Sequence, residues 1–371
     1  MQRRTTSLVL ASAAALAVAL APALTAHAAP AASSRVVASG LDNPRQLTIG
    51  AGGAVYVAEA GLGGVSEFCI PSAEPPFDDQ CLGATGAVTK IHRGTQERVL
   101  SGLPSIADKS GEGAQGPADV AVVGNHIAVL FGLGGPPDSR ADLGPDGAMM
   151  GTVAAGKIGG PLTVVADPVA YEAEHNPHDF QLDTNPGGLL AVGRSGTYLV
   201  TDAGGNDLIS VGKREATLAV FADRTALAPD FLEMPPETMI PMQSVPTDVV
   251  KGPDGALYVS ELTGFPFPEG AARVWRVVPG QEPTVYATGL TNVTALDWRG
   301  HTLYAVQLAD EGMSNGMVGS LRRVVPGSTE HPVVAGGLFA PYGVAIHGNT
   351  AYVSTCSVCP FGGEVRAISL R

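Results

Sequence analysis

The most constraining feature of this sequence is a four-strand repeat that ends one strand short and begins one strand over. Its first full copy reads PRQLTIG (44–50), GAVYVAEA (53–60), GAVTKIHRG (86–94) and QERVLSGL (96–103), taken here as strands a, b, c and d. Each is a short run of β-branched and other apolar residues, bounded by Gly, Pro or Asn, as strands and tight turns require. Further copies occupy 117–169, 186–223, 246–290 and 293–338. The sixth has PYGVAIHG (341–348), NTAYVSTC (349–356) and GEVRAISL (363–370), and then lacks strand d. Near the other end, RVVASGL (35–41) resembles the d strands RVLSGL and VYATGL but has no unit of its own. Pairing 35–41 with 363–370 makes six complete sheets and protects the edges that an open array would leave bare. The expected fold is an all-β six-bladed β-propeller over 34–371, with the N-terminal strand closing the last blade.

This topology sorts the connections onto two faces. The a–b and c–d turns share one face and are short. The b–c and d–a connections share the other and are long: 61–85, 104–116, 134–150, 170–185, 224–245, 263–272 and 309–318. Long loops on a rigid scaffold commonly carry function, so the long-loop face is the expected binding face. Gln46, Asp119 and Asp248 occupy equivalent places near the start of strand a. Glu59, Asp202, Glu261 and Gln307 do so at the end of strand b, while Asn185 and Asn206 flank the third unit's loops. Oxygen ligands from several blades suit Ca²⁺ or Mg²⁺, and Glu59, Asp119, Asp248 and Glu261 are the expected metal set. Gln46, Asn185, Asp202 and Asn206 are expected to contact an organic ligand. The competing reading is that such carboxylates accept backbone N–H bonds in their own turns.

The first 28 residues read as an export signal: Arg3 and Arg4, an apolar run, then Ala26-His27-Ala28 as a small-x-small cleavage site. No later run is long and apolar enough to span a bilayer. Lys and Arg number 22 against 35 Asp and Glu, giving a net charge of −13 that disfavours nucleic acid and anionic membranes as partners. In an exported chain the four cysteines are expected in disulfides. Cys69–Cys81 with Cys356–Cys359 is favoured, and pairing between the two loops, which would staple the closure, is the alternative.

Enzyme motifs are sparse. A serine nucleophile elbow of the Gly-x-Ser-x-Gly kind is not expected, and the glycines serve turns instead of a phosphate loop. His175 and His178 are the histidines expected on the long-loop face and would be the candidates for a general base, unless they are ordinary solvated loop residues. Trp275 and Trp298 fall within strands, which weakens the case for a sugar-stacking platform.

The string VPTDVVKGPDGALYVSELTGFPFPEGAARVWRVVPG is similar to the most recognisable segment of the ScyD/ScyE family, named from scytonemin pigment clusters. LDTNPGGLLAV with VTDAGGNDLISV, and FGLGGPPDSRADLGPDGAMMGTV, also resemble its pattern. The resemblance covers essentially all of 34–371. It implies an exported six-bladed propeller related in shape to NHL, gluconolactonase-like and soluble quinoprotein folds, without a settled reaction. Two functions are expected in consequence. The first is a secreted, monomeric propeller that binds a small molecule or extracellular polymer at the long-loop face. The second is a divalent-metal-dependent enzyme, lactonase-like or acting in secondary metabolism.

Overall fold

Strand Ser34–Leu41 lies antiparallel against Gly363–Ser369, with Ser34 opposite Ile368 and Leu41 opposite Gly363. It completes a four-stranded sheet with Val344–His347 and Thr350–Thr355, so the last blade is built from both ends of the described chain. The computed structural model describes residues 34–72, 78–179 and 181–370; the export signal expected at 1–28 lies outside them. Five further blades follow in chain order, each an antiparallel meander, and the six-bladed β-propeller is the observed fold.

The blades cohere through their seams. Most buried apolar side chains fall into six large clusters, each joining one blade to the next. The closing seam is one of them: Ala38 and Leu41 of the N-terminal strand pack with Leu47, Val55, Val57, Ile91, Ala345 and Val365. Inner strands therefore read as unbroken apolar runs, because both sides of the sheet face a neighbour: every residue of Val55–Glu59 is buried. Outer strands meet water, and Thr284–Leu290 buries only Ala287 and Leu290.

Several stretches expected as loops are structured. The first blade's hairpin of Gln80–His92 and Thr95–Ala107 runs well beyond its neighbours on the long-loop side, and Cys69–Ile70 pairs onto it. The 224–245 connection contains a small hairpin, Arg224–Leu227 with Met239–Met242. The start of 170–185 belongs to an α-helix, Pro168–His175, whose ends are written in the sequence. Asp167 caps its N-terminus by accepting from Ala170 N, Pro168 opens it, and Asn176 stops it in a left-handed conformation at φ 37°.

Candidate functional site

Strand a is the innermost strand of each blade, so its side chains reach the channel. Near its start the channel is filled. The Arg45 guanidinium lies 5.0 Å from the centre of the Tyr342 ring. Gln46 Nε2 donates to Thr294 O, and Thr294 Oγ1 donates to Tyr342 O. Farther along the strands a cavity of about 440 Å³ opens, lined from Gln46, Asp119 and Asp248 to Val123, Lys251 and Trp298. The open part of the channel thus lies toward the short a–b turns, and the end toward the long loops is packed. A channel mouth at the centre of the long-loop face, as the sequence suggested, is not what these side chains form.

Three aspartates in this cavity tie blade to blade. Asp119 accepts from Val120 N at 2.6 Å and from Leu189 N of the next blade at 2.7 Å. Asp248 accepts likewise from Val249 N and from Leu296 N. Asp297 repeats the device with Trp298 N and Ile346 N. Each carboxyl holds backbone donors of two adjacent inner strands, which would otherwise be unsatisfied at the channel wall. Burial raises the pKa of all three above the carboxylate range against these hydrogen bonds, with Asp248 at about 7 and Asp297 at about 6. Asp119 is raised well above that range by burial and by the nearby Asp248 carboxylate.

The strand-b carboxylates do not join them. Glu59 is fully buried and is held by Asp42 N, Thr89 Oγ1 and the Arg98 guanidinium, whose Nη2 stands 2.6 Å away. Glu261 is held by Arg224 and by Trp275 Nε1. Strand b lies about 4.8 Å farther from the axis than strand a, so its terminal side chain turns between blades instead of into the channel. Hence the expected metal set of Glu59, Asp119, Asp248 and Glu261 is not brought together: only Asp119 and Asp248 share a space. As they are placed, no group of three or more His, Cys, Asp or Glu side chains among the described residues could hold a metal ion. The four do not fit a common ion. Gln307 also turns locally, donating to Asp310 and accepting from Thr291 N.

Of the expected organic-ligand contacts, Gln46 is bonded across the channel as described. The other three form a cluster in the third blade. Asp202 accepts from the backbone N of Asn185, Gly204 and Gly205 and from Thr184 Oγ1. Asn185 Oδ1 accepts from Leu133 N, and Asn206 Oδ1 accepts from Val245 N. Here the carboxylate serves its own turn, the alternative the sequence left open. Both histidines of the long-loop side are also engaged: His175 stacks on Tyr171 with ring centres 4.1 Å apart, and His178 Nε2 stands 3.2 Å from Asp223. The string GMSNG (312–316) does spell Gly-x-Ser-x-Gly. Its serine, however, lies in the single 3-10 turn Met313–Asn315, and Ser314 Oγ donates to Pro266 O at 3.5 Å. A nucleophile elbow needs a strand leading into a helix, which is not the setting of this turn.

Sequence reasoning passed over an apolar patch on the long-loop face. Phe231 is 67% exposed, and its ring centre lies 6.1 Å from that of Phe265, itself 40% exposed. Phe265 meets Phe267 edge-on at 6.2 Å. Leu227, Leu232, Met234 and Met239, from the same 224–245 connection, are exposed as well. The signal was present as FLEM and GFPFP, which place large apolar residues in loops where turn residues are usual. Both disulfides lie on the b–c side: Cys69–Cys81 links the paired strands Cys69–Ile70 and Gln80–His92, Cys356–Cys359 sits in the sixth blade's short b–c connection, and the alternative cross-pairing is not observed.

The fold and cavity define this chain as a six-bladed β-propeller with a closed inner ring. No protein-family model matches the sequence, and no curated protein does. Among solved structures it is similar to a protein of unknown function from Bacteroides thetaiotaomicron, at TM-score 0.51 and 10% identity over 91% of this chain and 75% of that one. A putative oxidoreductase (glucose dehydrogenase) from Thermus thermophilus aligns at TM-score 0.52 and 15% identity, over 91% and 99% of the two chains. A putative gluconolactonase aligns at TM-score 0.46 and 13% identity, over 91% and 92%. At such identities the likeness concerns the fold alone.

Proposed function

We propose that this chain is an exported binding propeller of the ScyD/ScyE kind that recognises an extracellular polymer across its long-loop face. The observation that carries the reading is the Phe231–Phe265–Phe267 patch. Large apolar side chains grouped on a monomer's surface mark interaction sites, and aromatic and methionine side chains are the usual anchors of such surfaces. The packed channel end favours contact across a surface over engulfment of a small molecule. Acidity argues for an uncharged or basic polymer, since a net charge of −13 repels polyanions. Export is supported by the two disulfides and the signal-like N-terminus. Among the described residues no helix is long and apolar enough to cross a membrane.

The test is co-sedimentation with chitin, cellulose, cell-wall sacculi and bead-bound unfolded polypeptide. Wild type should be retained by at least one of these, and F231S/F265S should lose most of that retention while keeping its melting temperature. Retention by none, or retention indifferent to the double substitution, refutes the reading.

A lactonase-like enzyme is the second reading, favoured by the 440 Å³ cavity that contains Asp119 and Asp248. It predicts lactone hydrolysis that is lost in D119N and D248N.

A further inference from the structure

Asp202 ends strand Thr197–Asp202 of the third blade and stands directly opposite Asp207, which begins Asp207–Gly212. The chain reverses between them through Ala203-Gly204-Gly205-Asn206, with Asn206 at φ 55°. Glu172 enters from the helix Pro168–His175 and is fully buried. A methyl group placed on Gly205 would stand 3.0 Å from Glu172 Oε2 and 3.3 Å from Asp202 Cγ, so both carboxyls reach the same side of this loop. Asp183 stands near enough to Glu172 and Asp202 to add its charge to theirs.

Asp202 is satisfied by its four donors. Glu172 and Asp207 are not. Both oxygens of each are buried and have no hydrogen-bond partner among the described residues. None of the ion pairs among the described residues involves Glu172, Asp183, Asp202 or Asp207. Burial, reinforced by the other carboxylates, pushes Glu172 up to about 7 and Asp207 well above its usual range. An isolated buried carboxylate is costly enough that something must neutralise it. Protons would cancel the charge and let one carboxyl donate to the next, but the remaining carbonyl oxygens would still lack donors. A cation satisfies every one of these oxygens.

We propose that Glu172, Asp202 and Asp207 form a Ca²⁺ site that fastens the helix between the second and third blades to the third blade's b–c loop. All of its donors are hard oxygens. Calcium accepts irregular sets of six to eight such ligands, including backbone carbonyls, whereas magnesium holds several waters in a strict octahedron and suits a buried pocket poorly. As placed, no three carboxylates among the described residues form a group that could hold a metal ion, so binding requires these carboxylates to move closer together. The site is separate from the channel and from the Phe231 patch, and it stands whether or not either proposed function does.

The experiment uses the full chain, stripped with EDTA and titrated calorimetrically with CaCl₂ at about pH 7.5, with melting curves in Ca²⁺, Mg²⁺ and EGTA. One Ca²⁺ per chain should bind, with an affinity in the roughly micromolar to millimolar range of known calcium modules. Calcium should raise the melting temperature, and Mg²⁺ at equal concentration should do so far less. D207N and E172Q should each weaken binding by about tenfold or more, while D254N, on the opposite face, should not. If the variants fold poorly, Tb³⁺ luminescence of the wild type, sensitised through Tyr171 beside Glu172, should appear and be displaced by Ca²⁺. The proposal is overturned by an absence of binding in the wild type, by a larger response to Mg²⁺, or by binding unchanged in both variants. It is equally overturned if, in saturating CaCl₂ at that pH, D207N still melts higher than wild type, the signature of a site occupied by protons.

Discussion

Asp297 offers a measurement in which one carboxyl sets a slope of stability against pH. Its oxygens accept from Trp298 N and Ile346 N, tying the fifth blade to the sixth. Burial raises its pKa from 3.8 to about 6. Between these two values the native state binds the proton more tightly than the unfolded chain does, so stability falls as pH rises. The contribution is fully present below the unfolded value of 3.8 and is lost by the time pH passes the native value of about 6. The difference of about 2 units, at 1.36 kcal/mol each, makes the loss about 3 kcal/mol. The amide in D297N cannot ionise, so its contribution carries no slope. It also cannot accept both N–H groups as the carboxyl does, which should destabilise the variant by about 1–3 kcal/mol in acid. Urea unfolding at about pH 4.5, 6 and 8 in EGTA should therefore show D297N well below wild type in acid, with the gap narrowing by about 2–3 kcal/mol toward the alkaline end. A gap that stays constant across this range would refute the argument, and one that widens would reverse its sign.

Three other perturbations have clear directions. R98A leaves the fully buried Glu59 without its cation and frees Asp42; equilibrium unfolding should register a loss of about 3–5 kcal/mol. L41A opens a void in the closing seam and should cost about 2–5 kcal/mol, with N-terminal cleavage by trypsin at Arg35 becoming faster. C69S/C81S should leave the ring folded, but mass-mapped proteolysis should find new cuts within 61–85 and a destabilisation of about 2–3 kcal/mol at most.

The ring itself was legible because the repeat carries its own register: Arg35–Leu41 copies the pattern of Arg98–Leu103, and inner strands lack the polar alternation of outer ones. Asp119 and Asp248 could be placed by counting from the Pro that opens strand a. Asp297 escaped the same count, since it sits two residues farther along its strand and reaches the same inter-blade role from a different position. The partners of the strand-b carboxylates were not legible at all. Arg98 follows Glu59 by 39 residues, whereas Arg224 precedes Glu261 by 37, so no spacing announces either pair. Glu172 was hidden for a related reason. Its helix is short, and only the tertiary fold sets it against the TDAGGND loop. The Phe231 patch was readable as composition but not as a surface, because two separate connections must meet to form it.

Closure through Ser34–Leu41 also dictates an order of events. During synthesis this strand leaves the ribosome before every other strand of the six blades, yet its partner at Gly363–Ser369 follows after all of them. Until then the first blade lacks the neighbour its outer side expects, and pairing must span more than three hundred intervening residues. Such distant contacts slow folding and prolong the exposure of sticky edges. A chaperone that shields the Ser34–Leu41 strand should therefore matter more to the yield of this protein than to its final stability.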